Sequence, residues 1–118
     1  MSMRKPLFAA ALLAAPALAD PPVVEHVNAT YSGGVWRFDV TLSHGDTGWD
    51  DYADGWRVVD SAGRVLGTRV LHHPHVNEQP FTRSLGGVSI PRDTETVFVE
   101  ARDSSGGWSG HLTEVTLR

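Results

Sequence analysis

The sequence predicts an all-β domain, a single antiparallel β-sandwich of seven strands. Three observations carry that prediction. Apolar and polar residues alternate with a period of two, most clearly from Val35 to Ser43. There Trp36, Phe38, Val40 and Leu42 point one way, and Arg37, Asp39 and Thr41 the other. Gly, Asp, Pro and Ser divide the chain into short runs, with a turn signal about every 8–12 residues. No helical period emerges after Asp20.

The first strand is expected over Val23 to Tyr31, with Val27, Ala29 and Tyr31 on one face, and "SGG" turns the chain after it. The second runs from Val35 to Ser43. A polar loop, "HGDTGWDDYADG", leads to a third strand over Trp56 to Asp60. "SAG" makes a tight turn into a fourth strand, Arg64 to Leu71, which ends in the segment His72 to Pro80. Phe81 to Leu85 is the fifth strand, and "GGVSIPRDTE" crosses over to the sixth, Glu95 to Asp103, with Val97, Val99 and Ala101 inward. "SSGGWSG" turns into the last, His111 to Arg118.

Trp56, early in the third strand, resembles the core tryptophan of immunoglobulin-like sandwiches. The chain has no cysteine, so the resemblance is closer to the cysteine-free fibronectin type III-like modules. It covers residues 20–118, and this fold carries no function of its own. The stretches "DTGWDDYADGW" and "HPHVNEQPFTRS" are also similar to those of uncharacterised small exported bacterial proteins.

Residues 1–19 read as a cleaved secretory signal: Arg4 and Lys5, an Ala/Leu-rich run, then Ala17-Leu18-Ala19. The run is shorter than the roughly 20 apolar residues that span a bilayer, so no membrane span is expected in the mature form. No cysteine follows it, so a lipid anchor on an N-terminal cysteine is not expected either. The expected address is the periplasm or the outside of a bacterium, with residues 20–118 forming the one domain.

The chain of 118 residues carries a net charge of −4 with histidine neutral. Without Arg4 and Lys5, eight arginines face 14 acids, a charge of −6. That balance disfavours nucleic acid and suits a cation as partner. With no cysteine, and both methionines in the signal, soft sulfur ligands are missing.

"LHHPHVNEQP", Leu71 to Pro80, places three of the six histidines within four residues. In a seven-strand sandwich the connections after strands two, four and six share one end. His44, His72, His73, His75 and His111 all fall there, with Asp46, Asp50, Asp51, Asp54, Glu78 and Asp103. His26 lies elsewhere, on the outward face of the first strand. Imidazole with carboxylate suits Zn²⁺ or Cu²⁺. His73-Pro74-His75 is an H-x-H whose rings project to one side of an extended segment. His73 and His75 are therefore the expected central ligands, with His72, His44, His111 and Glu78 as candidates for the remaining positions. The expected function is an exported divalent-metal-binding protein with copper(II) or zinc.

Two further readings of this end compete with a metal. Trp49, Tyr52 and Trp108 could bind a glycan or another exported protein without metal, or one of the two tryptophans could cap the core. The aspartates of the acidic loop, Asp46, Asp50 and Asp54, lack EF-hand spacing and read as turn-formers rather than calcium ligands. Ser104, Ser105, His111 and Asp103 supply the residue types of a hydrolase triad, but nothing resembles a nucleophile elbow and no catalysis is expected.

Overall fold

A computed structural model describes residues 20–118. The signal expected over residues 1–19 lies outside the described residues. Eight strands form: β1 (Val23–Ser32), β2 (Val35–Ser43), β3 (Ala53–Val59), β4 (Val65–Val70), β5 (Phe81–Val88), β6 (Thr96–Asp103), β7 (Gly107–Trp108) and β8 (Thr113–Thr116). There is no helix among the described residues, hence none long and apolar enough to cross a membrane.

Two antiparallel sheets pack face to face in a β-sandwich-like arrangement. One has the order β1-β2-β5. The other has the order β4-β3-β6-β7, with β8 also paired to β6. The β1–β2 hairpin is registered from Val23↔Ser43 to Ser32↔Val35. Its two-residue turn, Gly33-Gly34, has φ of 64° and 89°. Positive φ at both positions is what a twisted two-residue hairpin turn requires, and glycine adopts it without steric cost.

The alternation in β2 becomes the core. Trp36, Phe38, Val40 and Leu42 face inward and meet Trp56 and Val58 of β3 and Val97, Val99 and Ala101 of β6. Trp56, Phe38, Val40, Val58, Val97 and Val99 are wholly buried. Along one side the sheets meet at β4 and β5. Arg69 Nη1 donates to the carbonyl of Ser84 at 2.9 Å. A Cβ at Gly67 would stand 3.0 Å from Leu85 Cδ2 and 3.4 Å from Val88 Cγ2, so these β5 side chains pack directly on the β4 backbone.

The structure departs from the expected seven strands at the chain's end. The segment read as a turn contains β7, which pairs Gly107 with Asp103 and Trp108 with Arg102. Gly110, at φ 80°, interrupts the edge before β8 resumes pairing with β6 at Thr113↔Val99. One interrupted edge thus counts as two strands. β3 also starts earlier than expected, at Ala53 instead of Trp56. The N–H of Ala53 is taken by the Asp46 carboxylate at 3.0 Å, and Ala53 pairs with Asp103.

Candidate metal centre

The connections after β2, β4 and β6 come together at one end of the molecule. Main-chain bonds hold them: Ser104 N–H donates to Tyr52 O at 2.9 Å, and Leu71 N–H to Asp54 O at 3.0 Å. Within the β2–β3 connection, Thr47 N–H donates to Asp51 O at 2.9 Å and Asp51 N–H to Gly48 O at 3.2 Å. That tight turn brings Asp51 back over the end of the sandwich, near the foot of β6.

His44 lies at the centre of this end. Its side chain is 3 % exposed, beside Asp46 at 0 % and Asp103 at 3 %. Nδ1 stands 2.6 Å from Asp46 Oδ1. Nε2 stands 3.2 Å from Asp103 Oδ2 and 3.6 Å from Asp51 Oδ1. An ionised carboxylate only accepts hydrogen bonds, so each ring nitrogen faces a position that calls for a proton or a cation.

The carboxylates are held in place by local donors. Asp46 Oδ1 accepts from Ala53 N–H, and Oδ2 from His75 N–H at 2.8 Å. Asp103 Oδ1 accepts from Gly106 N–H and from Ser105 Oγ at 3.3 Å, in a turn of the kind aspartate favours. Ser105 Oγ also lies 3.1 Å from Asp51 Oδ1. The ion pairs these three aspartates make among the described residues are with His44 alone. Three carboxylates therefore surround one mostly buried imidazole.

Among the described residues, His44, Asp51 and Asp103 form the one group of three or more such side chains whose ligand atoms lie within 4.8 Å of one another. Ligand atoms about 2.0–2.2 Å from one zinc ion, at right to tetrahedral angles, sit about 2.8–3.6 Å apart. The Nε2–oxygen distances of 3.2 and 3.6 Å match such an arrangement with little movement. Nδ1 on Asp46 supplies the outer carboxylate that commonly orients a metal-ligating histidine. This group could hold a metal ion.

Of the residues expected as ligands, only His44 belongs to this group. His73 and His75 are brought together, ring centroids 4.8 Å apart, but not with His44's ligand atoms. His75 is 6 % exposed and stacks on Phe81 at 4.0 Å and 15°. Its Nε2 lies 2.8 Å from Arg83 Nη2, and its Nδ1 is buried without a hydrogen-bond partner. Burial chiefly, then the Arg83 guanidinium and His73, hold this imidazole below the usual histidine range. His72 and His73 are exposed. Glu78 is exposed, 3.7 Å from Arg83. His111 is exposed beside Pro21 and Val23.

The aromatic residues divide as well. Trp49 is 66 % exposed and meets Tyr52 edge-on at 5.6 Å, flanking Asp51 in sequence. Trp108 sits on the outer face of the five-stranded sheet, with Arg57 3.8 Å over its ring and Arg102 at 5.4 Å. Neither tryptophan belongs to the core cluster. Arg57, fixed by Glu100 at 2.8 Å, covers Trp108 from outside, and Trp49 is carried outward on its turn.

Asp46, expected as a turn-former, instead spans two loops. Asp51 was legible only as part of an acidic end, and Asp103 as part of that end and among the residue types of a hydrolase triad. The signal that could have singled them out is His44 itself, the histidine that directly follows the most regular strand.

No protein-family model and no solved structure matches the chain. It is similar to a protein of Halomicrobium mukohataei named "Putative lipoprotein", 40 % identical over 98 residues, 83 % of this chain and 48 % of the relative. The chain thus spans about half the length of that relative.

Proposed function

We propose that this is a fibronectin III-like module of an exported protein that binds a divalent cation, Zn²⁺ or Cu²⁺, at His44, Asp51 and Asp103. One observation carries the reading: a buried imidazole whose Nε2 faces two carboxylates while its Nδ1 is anchored on a third. A dication offsets the surplus negative charge that burial makes costly. One nitrogen and two oxygens suit borderline ions, and three protein ligands leave a position for water or a partner's donor. The sheet orders β1-β2-β5 and β4-β3-β6 support the module type. The segment at residues 1–19 and the relative's name support export. Metal ligands must be deprotonated, so metal competes with protons and affinity weakens as pH falls.

Calorimetry of the protein with Zn²⁺ and with Cu²⁺ at pH 7.5 tests this. One ion per chain, bound tighter than about 10 μM, is expected. If neither metal reaches that affinity, the cluster is a structural hydrogen-bonded knot.

A second reading has its own support. The exposed Trp49 against Tyr52 suits contact with a protein or glycan without metal. Binding of such a partner that survives chelation and is lost in Trp49→Ala would favour it.

A further inference from the structure

His75 reaches the candidate ion site through its main chain. Its N–H donates to Asp46 Oδ2 at 2.8 Å, and Asp46 Oδ1 accepts from His44 Nδ1 at 2.6 Å. Its carbonyl accepts from Gln79 Nε2 at 3.0 Å, and Gln79 Oε1 accepts from His44 N–H at 2.9 Å. His44, Gln79, His75 and Asp46 thus close a ring of four hydrogen bonds between the β2–β3 and β4–β5 connections. The imidazole of His75 faces away from this ring, stacked on Phe81 and bonded to Arg83.

We propose that the β4–β5 loop is the positioning element of the ion site. The ring fixes both the main chain and the Nδ1 of His44, which aims Nε2 at Asp51 and Asp103. His75 anchors the ring by packing, and its imidazole is not a ligand. This rests on the cation reading above. Two features support it. The Asp46 carboxylate is fully buried and takes three donors, so it cannot turn without breaking bonds to both connections. The one hydrogen-bonded nitrogen of His75 is occupied by a guanidinium, which only donates.

The test uses the full chain with Zn²⁺ as the probe and three substitutions. Gln79→Ala removes two links of the ring from an exposed position, and Asp46→Asn replaces an acceptor with a donor. Both should weaken Zn²⁺ binding by about 10-fold to 100-fold, as loss of an outer-sphere partner does. His75→Phe keeps an aromatic ring on Phe81 and the main-chain N–H but cannot ligate. It should bind Zn²⁺ within about threefold of wild type, a small effect on this scale. Ring-nitrogen NMR of the ion-free protein adds a readout that mere loss of stability would not move. The Nδ1-protonated form of His44 should lose population in Asp46→Asn and Gln79→Ala.

Unchanged affinity and an unchanged His44 tautomer in both ring variants would overturn the proposal while leaving the cation site standing. So would loss of binding in a folded His75→Phe protein. If wild type binds no Zn²⁺, the cation reading falls. The tautomer shift in the ion-free protein then still decides whether the ring orients His44.

Discussion

His44 and Asp103 are 59 residues apart in the chain, and their side chains stand 3.2 Å apart. His44 follows the last residue of β2, in the three-stranded sheet, and Asp103 ends β6, in the five-stranded one. The contact therefore joins the two sheets at one end of the sandwich. Both groups are 3 % exposed, so little solvent screens them. An ion bound between them would clamp the sheets together, which couples binding to stability.

That coupling predicts a thermal shift. Zn²⁺ at about 100 times its dissociation constant should stabilise the fold by about 2.7 kcal/mol. For a domain of this size the melting temperature should rise by roughly 10–20 °C. Scanning calorimetry with and without chelator measures it. A melting temperature indifferent to the metal would separate the ion from the fold.

Asp51 is the most accessible of the three candidate ligands, at 25 %. Asp51→Asn should weaken Zn²⁺ binding by at least about 10-fold, since loss of even an outer-sphere partner costs about 10-fold to 100-fold. Without metal it should leave stability unchanged or raise it by up to about 1 kcal/mol, because a like charge near Asp103 is removed. Titration calorimetry and urea unfolding of the same variant read the two effects.

His75 predicts a pH dependence with a definite sign. Its folded-state pKa lies below the ordinary value of 6.5, chiefly through burial. The unfolded chain then binds the extra proton first as pH falls through 6.5. Stability from the neutral buried imidazole is complete above that pH and is lost progressively below it, down to the folded-state value. Urea unfolding between pH 7.5 and 5 should show the decline, and His75→Phe should flatten it. An equal slope in both proteins would assign the decline to other groups.

Leu42 is 1 % exposed, and its β-register partner is Phe81, the ring that carries His75. Leu42→Ala should cost about 2–5 kcal/mol through lost burial and the cavity left behind. A loss under about 1 kcal/mol in urea unfolding would mean the site's floor is not packed as described.

Much of the fold was legible because β2 alternates with a clean period of two and Val97, Val99 and Ala101 of β6 recur at the same spacing, and burial of one face leaves a single register. Strand ends were less legible where side chains compete for the main chain. Asp46 capturing the N–H of Ala53 is one case, and Glu100 Oε2 accepting from Gly110 N–H at 2.9 Å is another. At the site, counting histidines drew attention to His73 and His75, whereas the grouped ligand atoms centre on His44. Adjacent imidazoles in a loop are visible in one dimension. A lone histidine at the end of β2, meeting aspartates from the β2–β3 turn and the foot of β6, is visible only once the strands are paired.

In the proposed site His44 Nε2 is the nitrogen ligand of the divalent cation. Long-range ¹H–¹⁵N NMR of the histidine rings during Zn²⁺ titration tests it most directly, because it reports each ring nitrogen separately. One imidazole, that of His44, should respond, with Nε2 taking the metal-bound shift and Nδ1 keeping its proton on Asp46. A metal-bound shift at His73 or His75 with His44 unmoved, or no shift at any ring nitrogen at saturating Zn²⁺, would contradict it.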